Sequence, residues 1–73
     1  MTYATALKHA GIEVTGTDEY ESYEFWGKTK SGKGFYMHKA GGAYGEKFTL
    51  FIDDKTMTTA CIFRTAIRLI KTN

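Results

Sequence analysis

The sequence predicts a single small α+β domain over residues 1–73, ordered as a short helix, a three-stranded antiparallel meander and a C-terminal amphipathic helix. Apolar residues recur at helical spacing near both ends of the chain, and between them lie aromatic segments that alternate with polar residues. The links between those segments are too short for a parallel crossover, so the sheet is expected to be antiparallel.

Residues 2–10 place Tyr3, Ala6, Leu7 and Ala10 on one helical face, with Thr2 as N-cap and Gly11 just past the end. Ile12 then supplies the apolar contact of a Schellman-type cap. Residues 15–19 are polar and are expected to form a loop. Alternating strands are expected over 20–30 and 34–39, joined by Ser31-Gly32-Lys33-Gly34, a hairpin turn with glycine where positive φ is needed. The glycine-rich stretch 40–45 turns the chain again, and 47–53 alternates as a third strand. Asp53 and Asp54 suit the positive end of a helix, while Arg68 and Lys71 suit the negative end. Thr59, Ile62, Phe63, Ala66, Ile67 and Ile70 then mark the face that covers the sheet.

Composition bounds the function. With 73 residues, 42% hydrophobic and 15% aromatic, the chain supports one packed core and no second domain. Ten Lys+Arg against eight Asp+Glu give a formal charge of +2, too small to imply a nucleic-acid partner by itself. The single Cys61 excludes an internal disulfide. No apolar run reaches bilayer length and the start lacks the pattern of a signal peptide, so a cytoplasmic protein without a membrane partner is expected.

The residues do not assemble a recognisable catalytic centre, and no enzyme activity or cofactor is expected. Gly27-Lys28-Thr29 matches the end of a phosphate-binding P-loop, but Ser22 stands where the motif requires its first glycine. The glycines at 41–45 precede a strand rather than a helix, which makes them a turn. His9 and His38 lack neighbours at metal-ligand spacing, and nothing beside Cys61 activates its thiol.

Strand alternation separates two faces. Tyr23, Phe25, Phe35, Met37, Phe48, Leu50 and Ile52 are expected to meet the helices; Glu24, Trp26, Lys28, Tyr36, His38, Thr49 and Phe51 are expected on the other side. Rings at 26, 36 and 51 on an uncovered face form the leading candidate for a binding surface, with Lys28 and His38 beside them. A second candidate is the outward side of the last helix, where Met57, Cys61, Arg64, Arg68 and Lys71 align.

These surfaces suit a small non-enzymatic protein that occupies a site on a larger macromolecule, with a protein as the first choice of partner. In size and lack of motifs the chain looks like the accessory inhibitors that bacteriophages direct against host or defence proteins. A second reading stacks unpaired bases on the three rings, with Lys28, Lys30, Lys33 and Lys39 holding phosphates. A third is a self-associating structural protein whose aromatic face forms a homodimer contact. The element order is similar to that of double-stranded RNA-binding domains, which carry a lysine cluster at the start of the second helix. Here Asp53 and Asp54 with only Lys55 occupy that place, so the family's function is not carried over.

Overall fold

The computed structural model describes residues 2–41 and 46–73. In chain order the elements are α1 (Tyr3–His9), β1 (Glu13–Thr17), β2 (Glu24–Lys28), β3 (Gly34–Lys39), β4 (Phe48–Ile52), β5 (Lys55–Cys61) and α2 (Phe63–Thr72). The strands form one antiparallel sheet in the order β1-β2-β3-β4-β5. The α+β meander between two helices is as expected, and the three expected strands are its centre. One further strand lies on each side.

α1 forms as its ends dictate. The Thr2 hydroxyl accepts from the Thr5 N–H at 3.1 Å, satisfying a first-turn donor that has no partner inside the helix. At the other end the Ile12 N–H donates to the Leu7 carbonyl and the Gly11 N–H to the Lys8 carbonyl, with Gly11 at φ +83°. This is the Schellman pattern, and it turns Ile12 into the core beside Leu7.

β1 replaces the loop expected at 15–19. Its sequence holds one large apolar residue, Val14, and an irregularity between Val14 and Gly16 breaks the alternation that marks a strand. Pairing with β2 holds it in place. In β2 to β4, Phe25, Phe35, Met37, Phe48, Leu50 and Ile52 are buried against the helices, as alternation predicted. Each such side chain contributes about 1.5–3 kcal/mol relative to exposure. Tyr23 was expected among them, yet it precedes β2 in a loop and is 51% exposed.

The expected start of the last helix is also corrected. Asp53 and Asp54 both have positive φ, 54° and 63°, and link Ile52 to its partner Lys55 as a two-residue hairpin turn. The chain therefore continues as β5, where Thr56, Thr58 and Thr59 favour extended backbone through their branched β-carbons. Thr59 and Cys61 thus belong to a strand, and Cys61 is buried in the core. Met57 is likewise on β5 and exposed. α2 begins at Phe63; Ile62, expected on the core face, is its exposed N-cap and makes no side-chain capping bond. Ala66 and Ile70 are buried, with Phe63 and Ile67 partly so.

The Ser31–Gly34 turn forms as expected, with Gly32 at φ +91°. Most of the glycine-rich stretch 40–45 lies outside the described residues. Both edge strands, β1 and β5, carry register irregularities, whereas β2–β3 and β3–β4 pair without interruption. Bulged edges accept an added strand poorly. The sheet accordingly presents itself to solvent through one face.

Candidate functional site: the aromatic sheet face

Both helices contribute to the core on one side of the sheet, leaving the other side without a helix. Across that open side the cross-strand register aligns Gly16 with Trp26, Trp26 with Tyr36, Tyr36 with Phe51, and Phe51 with Thr56. Directly opposed side chains in an antiparallel sheet share a face and lie close enough to touch. The result is a transverse row of rings. Trp26 and Tyr36 have centroids 5.3 Å apart, and Tyr36 and Phe51 stack at 6.0 Å with planes 24° apart.

The row turns along β3 and beyond it. His38 stacks on Tyr36 at 5.6 Å, and Tyr23 lies 6.3 Å from His38. Trp26 is 39% exposed; Tyr36, His38 and Phe51 are half-buried by one another. Thr49, expected on this face, is covered and donates its hydroxyl to the Thr59 carbonyl at 3.0 Å. Opposite Trp26, the indole packs on the backbone of Gly16: a β-carbon there would lie 3.6 Å from the Trp26 Cε3, an ordinary contact distance.

The loop between β1 and β2 places Tyr23. The Asp18 carboxylate accepts backbone N–H groups from Tyr20, Ser22, Tyr23 and Glu24 at 2.8–3.1 Å. The bonds from Glu24 and Tyr23, then those from Tyr20 and Ser22, hold its carboxyl at about 2, below the usual carboxylate range. Asp18 was not singled out from the sequence. Its only local signal is an aspartate opening a polar loop, where the side chain is able to bond backbone a few residues on. Tyr20, 75% exposed, extends the loop outward.

The electrostatics of the face are mixed. Glu24 is the cross-strand partner of His38, and Glu13 that of Lys28. The Tyr36 phenol is pushed up from its ordinary value by burial, then by the charges of Glu24 and Tyr23. A shallow groove at the Asp53-Asp54 end is lined by Trp26, Gly34, Tyr36 and Phe51 together with both aspartates. The lysines considered for phosphates do not form a track along the rings. Lys39 pairs with Glu46 at 2.9 Å, while Lys30 and Lys33 are exposed at the hairpin tip.

Of the residues singled out from sequence, Trp26, Tyr36, Phe51, Lys28 and His38 share this face. Arg64, Arg68 and Lys71 are exposed on α2, which packs on the other side of the sheet. They do not join the aromatic surface. Lys71 instead borders a separate cleft at the sheet end with Lys28, Lys30, Ile12 and Ile70.

Gly27-Lys28-Thr29 spans the end of β2 and the start of the hairpin turn, not the strand-to-helix loop a phosphate cradle needs. His9 lies on α1 and His38 on β3, and no metal-holding group of His, Cys, Asp or Glu occurs among the described residues. Among those residues, too, no helix is long and apolar enough to cross a membrane. Comparison with protein-family models, curated proteins and solved structures finds no match for this chain.

Proposed function

We propose that this chain is a non-catalytic binding module that docks a larger protein partner through the aromatic face of its sheet. One observation carries the reading: Trp26, Tyr36 and Phe51 are cross-strand neighbours on the side without helices, forming a rigid, uncovered aromatic row. Aromatic side chains on regular strands lose little conformational freedom when they bind, and they dominate the energetics of protein interfaces. The bulged edges β1 and β5 favour docking by this face over addition of a strand.

A protein fits better than a polynucleotide. Glu13, Glu24, Asp53 and Asp54 border or interrupt the face, and a phosphate chain laid across the rings meets those carboxylates. The one thiol, Cys61, is buried and its ionisation is suppressed by burial, which suits a packing role in a reducing cytoplasm. Occupying a partner's surface is how small inhibitors of the phage accessory type act.

Photo-crosslinking tests the reading. A benzophenone side chain at position 51, with one at position 64 on α2 as control, is irradiated in a lysate of the source organism. The expected result is one discrete protein adduct from position 51 that Trp26→Ala abolishes. Adducts from position 64 alone would move the site to α2. A nuclease-sensitive adduct from position 51 would make the partner a nucleic acid, and a self-adduct together with a concentration-dependent mass in light scattering would make it a second copy.

A further inference from the structure

We propose that the segment bound by this face is basic, and that it seats an arginine or lysine side chain in the groove between the Trp26, Tyr36 and Phe51 rings and the Asp53-Asp54 turn; this rests on the docking role proposed above. Aromatic rings and two carboxylate-bearing residues line the groove together, and no lysine or arginine lines it. A guanidinium or ammonium group is attracted by the face of an aromatic ring and pairs with carboxylates, so both kinds of lining favour the same ligand charge. Arginine suits both at once, because its plane stacks while its edge donates to an acid.

The backbone of the acidic turn is fixed in place. The Asp53 N–H donates to the Gly34 carbonyl at 2.8 Å, tying the turn to the start of β3 beside Tyr36. Among the described residues the ion pair is Lys39 with Glu46, which leaves the carboxylates of Asp53 and Asp54 without one. Lys33 and Lys55 are close to the turn in sequence and Lys28 is the cross-strand partner of Gly34, yet none of the three lines the groove. Charge complementarity therefore selects a cationic occupant. An acidic segment or a phosphate chain is repelled by those carboxylates.

A selection from a displayed library of random peptides on the intact protein tests this. Bound clones are re-assayed on Trp26→Ala and on the double variant Asp53→Asn, Asp54→Asn. Asparagine tolerates the positive φ that both positions require, so the double variant removes charge and keeps the turn. Circular dichroism and the amide spectrum of Gly34 confirm that fold. The expected outcome is enrichment of arginine and lysine in the clones, with affinity lost in Trp26→Ala and lowered about tenfold in the double variant. Clones that need Trp26 but are not basic, or that ignore the double variant, overturn the cationic occupant and leave the docking face standing. Clones indifferent to Trp26, or no enrichment at all, overturn both.

Discussion

The ring of Phe35 fills the space that a side chain at Gly27 would need: a β-carbon there would come within 2.6 Å of Cε2 and 2.7 Å of Cζ, and would collide with the Glu13 carbonyl oxygen. Gly27 and Phe35 are cross-strand partners between β2 and β3, both buried. The bare glycine lets the ring lie flat on the backbone and lets β1 close against β2. Gly27→Ala has no relaxation open to it except separation of β1 from β2 or displacement of a core ring. It is expected to destabilise the fold at the upper end of about 1–3 kcal/mol, read as a lowered midpoint in urea.

Side chains on the two sheet faces should respond differently to truncation. Trp26→Ala removes a half-covered ring and its contact with Tyr36, so a loss of about 1–3 kcal/mol is expected from the pair and the covered apolar area together. Phe25→Ala, fully buried, should lose about 3–5 kcal/mol and leave the chain largely unfolded. A Trp26→Ala melting temperature as low as that of Phe25→Ala would put the indole in the core and remove the docking face.

On α2 the same comparison separates Ile70 from Ile67. Ile70 is buried and Ile67 only partly so. Ile70→Ala is expected to cost about 2–5 kcal/mol and Ile67→Ala clearly less, by chemical denaturation.

Asp18 makes the loop before β2 sensitive to acid. Its carboxyl is depressed to about 2 by backbone N–H donors present only in the fold, against 3.8 without them. A depressed folded value means that the stabilisation is full above pH 4 and is lost as pH falls toward 2. In a pH titration by NMR the Tyr23 and Glu24 amides should shift with an apparent value near 2. Asp18→Ala should loosen the loop that carries Tyr20 and release Tyr23 from the face at every pH, detected as faster amide exchange at 20–24 and unchanged exchange in β3.

The Tyr36 phenol should titrate above ordinary tyrosine, through burial first and then the charge of Glu24. Glu24→Gln should lower that value while leaving it above ordinary, because burial remains. Ultraviolet difference titration, with Tyr36→Phe identifying the band, measures it.

The central strands, the N-terminal helix and the side of the sheet that holds Trp26, Tyr36 and Phe51 were legible in the sequence because each rests on a local pattern, whereas the more exposed Tyr20 and Tyr23 sit in a loop that alternation does not describe. Thr2 and Gly11 bracket one helical turn after another, and residues 34–39 alternate without a break between two glycine-bearing stretches of sequence. Parity then carries Trp26, Tyr36 and Phe51 to the face opposite Phe25, Met37 and Leu50, since the period of a strand is two. Residues 53–62 were misread for an equally local reason. The spacing of Thr59, Ile62, Phe63 and Ala66 fits a helix, and Asp-Asp suits both a helix start and a hairpin turn at positive φ.

What the sequence determined by itself was the class of fold, the caps of the N-terminal helix and the sides of three strands, all set by interactions between residues a few positions apart. Only the tertiary structure decided that 13–17 and 55–61 are strands, because their hydrogen bonds go to β2 and β4 and their bulges hide the alternation. It also brought the Asp53-Asp54 turn beside the rings and sent Arg64, Arg68 and Lys71 to the other side of the sheet. Such neighbourhoods depend on pairings between distant segments, and no window of sequence shorter than the whole sheet contains them.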